Sequence, residues 1–175
     1  MLYEKNDMPA YFMTLEWEVD SPLWTQEVMA ILSQRIEQLN FTPYFLDDSP
    51  IAKTDMADNG QVIALLCDDK RIQELNQQWR GKNKPTNILS FPNSDIFPIM
   101  AGEPKEWGNI ALAFETVHQE AQQRKLSLHD HATHLIIHGI LHLLGYDHEE
   151  ENDAIRMEQV EVELMHHLGL HDPYS

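Results

Sequence analysis

Three histidines are spaced to work on a single ion: His138, His142 and His148, within His138-Gly-Ile-Leu-His142-Leu-Leu-Gly145-Tyr-Asp-His148. In an α-helix each residue turns by about 100°, so positions four apart share a face, one turn above the other. His138 and His142 therefore aim at one point. Gly145 can take the left-handed conformation that ends a helix. The chain can then double back and bring His148 to the same point from the side. Three imidazoles with a fourth position open are the pattern of a catalytic zinc. A helix carrying surface histidines fits poorly, because the rest of the stretch is apolar (Leu135, Ile136, Ile137, Ile140, Leu141, Leu143 and Leu144). Buried imidazoles without partners are costly.

The frame H-x3-H-x2-G-x2-H is shared with metzincin peptidases. Those carry a glutamate directly after the first histidine as general base, and here that position is Gly139. The ligand frame is kept and the peptidase base is missing. Three neutral ligands leave the charge of the ion uncompensated, which acidifies a bound water towards neutrality. No side chain stands out as a general base, so a metal-bound hydroxide is expected to serve alone.

The elements that must position these residues can be read along the chain. Residues 1–10 are polar and expected to fray. Phe12 to Val19 alternates as a strand does. Asp20-Ser21-Pro22 signals a helix start, followed by helical spacing of Trp24, Val28, Ile31, Leu32, Arg35, Ile36 and Leu39. Pro43 to Asn59 reads as a loop and Asn59-Gly60 as a turn. Val62 to Cys67 is an unbroken apolar run, the mark of a buried strand, in which Cys67 is core. Asp68 caps a short helix carrying Ile72, Leu75 and Trp79. A basic turn follows, then a strand from Thr86 to Phe91, a proline-rich loop from Asn93 to Lys105, and a fourth strand from Trp107 to Ala113. Phe114 to Lys125 is helical. Ser127 and Asp130 form a capping box for the histidine helix. A last helix, about Glu150 to Leu168, is expected to bury Ile155, Val162 and Leu164. The fold class is α/β (α+β): a small four-stranded mixed sheet packed with about five helices, in one domain over residues 1–175.

Composition narrows the function. The chain has 175 residues, 42% of them hydrophobic, which suits one domain with a real core. Its single cysteine, Cys67, excludes an internal disulfide and suits a reducing cytoplasm. No basic-then-apolar leader and no apolar run of membrane-spanning length is visible, so a cytoplasmic protein without a membrane partner is expected. The formal net charge of −17 argues against a general nucleic-acid binder. Any phosphate-binding surface must be local, and Lys70, Arg71, Arg80, Lys82 and Lys84 do cluster in one short stretch. The acidic run from Asp147 to Asp172, Glu161 included, reads as a solvated helix face.

Several segments together resemble the YbeY family of bacterial single-strand-specific metallo-endoribonucleases. They are Ala132-Thr-His134-Leu135 with the His138–His148 motif, Leu75-Asn76 through Trp79-Arg80-Gly-Lys-Asn-Lys-Pro-Thr-Asn-Ile-Leu-Ser-Phe-Pro92, and the ending Met157-Glu158 … Leu168-Gly-Leu-His-Asp-Pro173-Tyr174. The resemblance is good over roughly residues 60–175 and extends to the N-terminal third only in pattern. It implies one zinc ion on His138, His142 and His148, and a catalytic role for Arg80. The implied substrate is single-stranded RNA, in maturation of the 16S ribosomal RNA 3′ end on the small ribosomal subunit and in ribosome quality control. Arg80 suits that role because a guanidinium binds phosphate bidentately and stays charged. Lys82 and Lys84 read either as backbone contacts or as solvated charges. His134, one turn before His138, reads as a satisfied core histidine or as a partner of the ligands. His166, His167 and His171 look like surface residues. The family usually has Gly-Asp-Ile in the fourth strand, where this chain has Gly108-Asn109-Ile110. A metalloprotease-like hydrolase and a non-catalytic assembly factor with structural zinc are the alternatives.

Overall fold

The computed structural model of the chain describes residues 13–44, 60–92 and 105–175. Their elements are β1 (Met13–Val19), α1 (Gln26–Ile36), β2 (Gly60–Cys67), α2 (Asp69–Arg80), β3 (Ile88–Pro92), β4 (Lys105–Ala113), α3 (Phe114–Arg124), α4 (Leu128–Leu143) and α5 (Glu151–His167), with a 3-10 turn at Thr42–Tyr44. The strand order is β1-β2-β4-β3. β1 and β4 both lie parallel to β2, and β3 runs antiparallel to β4. This is the mixed four-stranded sheet with five helices that the sequence predicts. Most of the expected loops from Pro43 to Asn59 and from Asn93 to Lys105, and the opening ten residues, lie outside the described residues; Pro43 and Tyr44 belong to the 3-10 turn and Lys105 opens β4.

Side-chain alternation along a strand sends successive residues to opposite faces, and β2 sets the layers that way. Val62, Ala64 and Leu66 enter the larger core with Leu32, Ile36, Ile136 and Ile140 of α1 and α4. Cys67 faces the other side, with Ile72, Leu89 and Ala111. Its thiol donates to the Leu112 carbonyl at 3.3 Å and is pushed up to about 12 by burial, so it is core and unreactive.

Two local details depart from the sequence reading. Asp20 and Ser21 do not open α1: their N–H groups donate to the Leu66 carbonyl at 2.9 and 3.2 Å, extending β1 along its neighbour. The helix begins after Thr25, whose hydroxyl accepts from Val28 N. Gly60 is not a turn residue but the first residue of β2. Gln61 pairs with Glu106 and Val62 with Gly108, so Trp107 is an extra residue in β4, a bulge. The Trp107 indole lies over Gly60, where a Cβ would come within 1.9 Å of it.

The histidine helix α4 is central. Residues buried on every side, from His131 through Ile137 and again at Gly139, Ile140, Leu141 and Leu143, mark a helix enclosed by its neighbours. Its start is capped by Ser127, whose hydroxyl accepts from Asp130 N at 3.0 Å. The expected capping box is only half made. The Asp130 carboxylate accepts from Arg35 Nη2 at 2.8 Å instead, and Arg35 Nη1 donates to Thr133 at 3.0 Å, tying α1 to α4. On α5 the buried stripe is Met157, Val160, Glu161, Leu164 and Met165. Ile155, expected inside, is 47% exposed, and Glu161, expected in solvent, is 0% exposed.

Candidate metal centre

The end of α4 builds the site. The helix stops at Leu143, and Gly145 follows at φ 100°. Gly145 N donates to the His142 carbonyl at 3.1 Å and Tyr146 N to the Leu141 carbonyl at 3.0 Å. Those two bonds are the paired 5→2 and 6→1 links of a Schellman motif, which needs a positive φ at its turning residue. The motif returns the chain over its own last turn. There the Tyr146 carbonyl meets His142 Nδ1 at 2.9 Å, and His148 arrives beside the two helical histidines. One ligand atom from each of His138, His142 and His148 lies within 4.8 Å of the others.

Protonation follows from the partners. A carbonyl and an ionised carboxylate can only accept, so His142 donates from Nδ1 to Tyr146 and His138 donates from Nδ1 to Glu161 Oε1, at 2.7 Å. Each ring then presents an unprotonated Nε2, and the two Nε2 atoms stand 3.1 Å apart. Two facing lone pairs at that distance repel unless a cation or proton lies between them. Burial and then the neighbouring His138 push His142 down to about 4, which disfavours a proton on the His142 ring. His148 is exposed and its ring makes no hydrogen bond among the described residues. Three imidazoles, two of them oriented by hydrogen bonds at Nδ1 so that Nε2 faces the same point, fit one divalent transition metal.

Glu161, which the sequence places on a solvated face, is instead buried behind the histidine cluster. Its wholly buried carboxylate accepts from His138 Nδ1 and from His134 Nε2, each at 2.7 Å, and from the Tyr174 hydroxyl. Burial raises its affinity for a proton, but the hydrogen bonds from His134 and His138 outweigh that and hold it at about 2. The Tyr174 phenol is raised, first by burial and then by this carboxylate. A carboxylate behind a ligating histidine fixes its tautomer and raises its basicity. The signal was present: Glu161 sits in register with Met157, Leu164 and Met165, inside the apolar stripe. His134 is thus a buried partner of the same carboxylate, with its ring edge-on to Tyr174. His166 and His167 are exposed, as expected, while His171 is half-buried.

Gly139 carries more than the absence of a base. A Cβ there would lie 2.7 Å from Ile88 Cδ1, 3.0 Å from Ile110 Cγ2 and 3.2 Å from Ser90 Oγ. The position faces the sheet, away from the site, and has no room for a glutamate.

Arg80 is the last residue of α2, exposed, and makes no hydrogen bond or ion pair among the described residues. It does not line the cavity beside His138. The turn after it is tied by hydrogen bonds. Gly81 is left-handed at φ 68°. Gly81 N and Lys82 N bond back to the Gln77 and Asn76 carbonyls, at 3.1 and 3.2 Å. The buried Asn76 donates from Nδ2 to the Lys84 carbonyl at 2.8 Å. Lys82 and Lys84 are exposed on this turn. Asn109, where the family usually has aspartate, donates from Nδ2 to Glu106 at 2.7 Å, a bond an aspartate would not make.

Fold and site together define a small mixed α/β protein with a carboxylate-oriented three-histidine centre. The family model described as Endoribonuclease YbeY matches residues 24–169, and the chain belongs to that family. Among its relatives, Endoribonuclease YbeY of Paramagnetospirillum magneticum is 40% identical over 167 residues, covering 93% of this chain and 98% of that protein. The Bartonella bacilliformis protein of the same name is 48% identical over 117 residues, covering 66% of this chain and 72% of that one. Among solved structures, the solution structure of TM1509 from Thermotoga maritima superposes with a TM-score of 0.50 over 93% of this chain and 99% of that one, at 23% identity. That likeness concerns the fold. No helix among the described residues is long and apolar enough to cross a membrane.

Proposed function

We propose that this protein is a zinc-dependent endoribonuclease hydrolysing single-stranded RNA. The observation that carries the reading is the pair of facing, unprotonated Nε2 atoms of His138 and His142 with His148 beside them. RNA as the substrate class is supported by membership of a family whose relatives are named endoribonucleases. A divalent ion held by the three imidazoles would supply Lewis-acid charge and bring the pKa of a bound water down towards neutrality.

The remaining work falls to the chain itself. Glu161 and the Tyr146 carbonyl hold two ligand rings in place. Arg80, exposed and without an ion-pair partner among the described residues, is assigned to the phosphate, where a guanidinium offsets charge that develops during cleavage. Lys82 and Lys84 on the same turn bind flanking phosphates. Trp79, 64% exposed just before Arg80, offers a ring face for a base to stack on. With a net charge of −17, such a local patch engages few phosphates. It favours a flexible strand that bends in and leads its ends away over a stiff duplex. The cellular role assigned with it, on the family resemblance, is 16S ribosomal RNA 3′-end maturation on the small subunit, with ribosome quality control, in the cytoplasm. The absence of space at Gly139 speaks against peptidase chemistry. Among the described residues the cluster offers three histidines and no fourth protein ligand, which favours an open catalytic site over a purely structural zinc.

The test is cleavage of a labelled RNA, alone and annealed to its complement, with chelator and casein controls. Metal-dependent cutting of the single strand only is expected. Equal cutting of both forms, or cutting of casein alone, would overturn the reading.

A further inference from the structure

The cavity beside His138 has a side that metal ligation leaves unused. About 310 Å³ in volume, it runs from His134, His138 and Tyr174 to Asn87, Glu120 and His131. The far wall is a separate hydrogen-bonded cluster drawn from α3, α4 and the residue preceding β3. His131, 2% exposed, sets its Nε2 2.7 Å from Glu120 Oε2. Asn87 Nδ2 lies 3.1 Å from Glu120 Oε2 and 3.3 Å from Oε1. Asn87 is itself fixed: its Oδ1 accepts from Ile88 N at 2.7 Å and its backbone carbonyl from Ala113 N at 3.1 Å.

One carboxylate is therefore aimed by two elements besides its own. Burial raises the affinity of Glu120 for a proton, but the hydrogen bonds from His131 and Asn87 and the charge of Arg124 outweigh it, so it is ionised at neutral pH. Oε2 is occupied by two donors. Oε1 has only the long contact, and the side chain keeps 34% exposure. An ionised oxygen with free lone pairs beside a cavity calls for a donor. It repels a phosphate and suits a neutral hydroxyl. Among the donors of an RNA strand, the 2′-hydroxyl sits on the carbon next to the one bearing the 3′-phosphate, nearer the backbone than any base edge. A strand whose phosphate lies at the histidines brings that hydroxyl closest.

We propose that this cavity is a ribose subsite, in which Glu120 Oε1 accepts a hydrogen bond from the 2′-hydroxyl of a nucleotide next to the cleaved phosphate. The 2′-hydroxyl is the group by which a protein tells RNA from DNA at a given position. Asn87 and His131 are positioning residues that act through Glu120. The inference rests on the ribonuclease reading of the adjoining histidines and names how that site recognises its substrate.

The test is equilibrium binding of a short fluorescent RNA and of the same-sequence DNA, in chelator so that neither is cut. The full chain binds RNA about tenfold more tightly than DNA, as loss of one hydrogen bond to a charged group implies. Glu120→Ala weakens RNA and leaves DNA unchanged, bringing the ratio near one. Glu120→Gln keeps the shape and an acceptor without the charge, gives an intermediate ratio, and carries the test if the alanine variant does not fold. In a second arm, zinc-loaded wild type loses about tenfold in cleavage at a single 2′-deoxy position, and Glu120→Gln reduces that penalty. Equal binding of RNA and DNA by wild type, or an unchanged ratio in Glu120→Gln, would overturn the subsite. Retained RNA preference with no cleavage of any RNA would instead strike the ribonuclease reading and leave the subsite standing.

Discussion

Glu161 Oε1 stands 2.7 Å from His138 Nδ1, and the carboxylate that bridges α5 to α4 in this way is closed to solvent. It also holds His134 and Tyr174, so one buried charge fixes the His138 ring, its neighbour one turn earlier and Tyr174.

Removing that charge has two expected consequences. Glu161→Gln lowers zinc affinity by about 10–100-fold, the usual effect of losing a carboxylate behind a ligating histidine. Glu161→Ala also destabilises the fold by about 1–3 kcal/mol for each buried donor left unpaired. Competition with a chromophoric chelator and urea unfolding of the metal-free protein measure the two. Unchanged zinc affinity in Glu161→Gln would deny the carboxylate its orienting role.

Gly139→Ala gains roughly 1 kcal/mol of helix propensity and incurs roughly 1–3 kcal/mol of overpacking against Ile88, Ile110 and Ser90. A net loss of about 1 kcal/mol is expected in the urea midpoint, with zinc still bound. Gly139→Glu, which would restore the peptidase motif on paper, yields no folded protein and no caseinolytic activity. A folded, casein-cleaving Gly139→Glu protein would show that the position faces the metal after all.

The convergence of His138, His142 and His148 was legible because helical periodicity and a helix-ending glycine are local rules. So were the sheet and its helices: the unbroken apolar run of β2 and the cap at Asp68 each act within a few residues. Glu161 was not legible as a buried residue, because its partners lie 23 and 27 positions away and its acidic neighbours suggested a solvated face. The capping box failed for the same kind of reason. Arg35, distant in sequence, competes for Asp130. Asp20-Ser21-Pro22 looked like a helix start until sheet pairing to Leu66 claimed its backbone.

Arg80→Ala should keep both fold and metal, since the side chain is exposed at the end of α2 and its loss removes only a favourable charge at a helix C-terminus, about 0.3–1 kcal/mol. Cleavage of RNA should fall by about 10²–10³, the scale for losing a transition-state charge partner. Single-turnover assays on the zinc-loaded variant check this; wild-type rates would remove Arg80 from the mechanism.

The Glu120 cluster predicts a pH dependence of stability. Hydrogen bonds from His131 and Asn87 and the charge of Arg124 outweigh burial and hold the folded carboxyl below its ordinary value of 4.5. A carboxyl depressed on folding adds stability that is fully present above its unfolded pKa and is lost as pH falls through the folded one. Wild type should therefore exceed Glu120→Gln in stability at neutral pH, and the gap should close only below about pH 4.5. Urea midpoints of the two proteins from pH 3 to 7 measure it. A gap that persists unchanged to pH 3 would contradict an ionised Glu120.

We propose that cleavage of single-stranded RNA depends on a metal held by His138, His142 and His148. The most direct test is a titration of metal-stripped protein with zinc while cleavage of a single-stranded RNA is followed. Activity should be absent at the start, rise in proportion to added zinc and level off at about one equivalent per chain, with no rise for His142→Ala. Full cleavage by the stripped protein, or an equal response from His142→Ala, would show that the three histidines hold no metal the reaction needs.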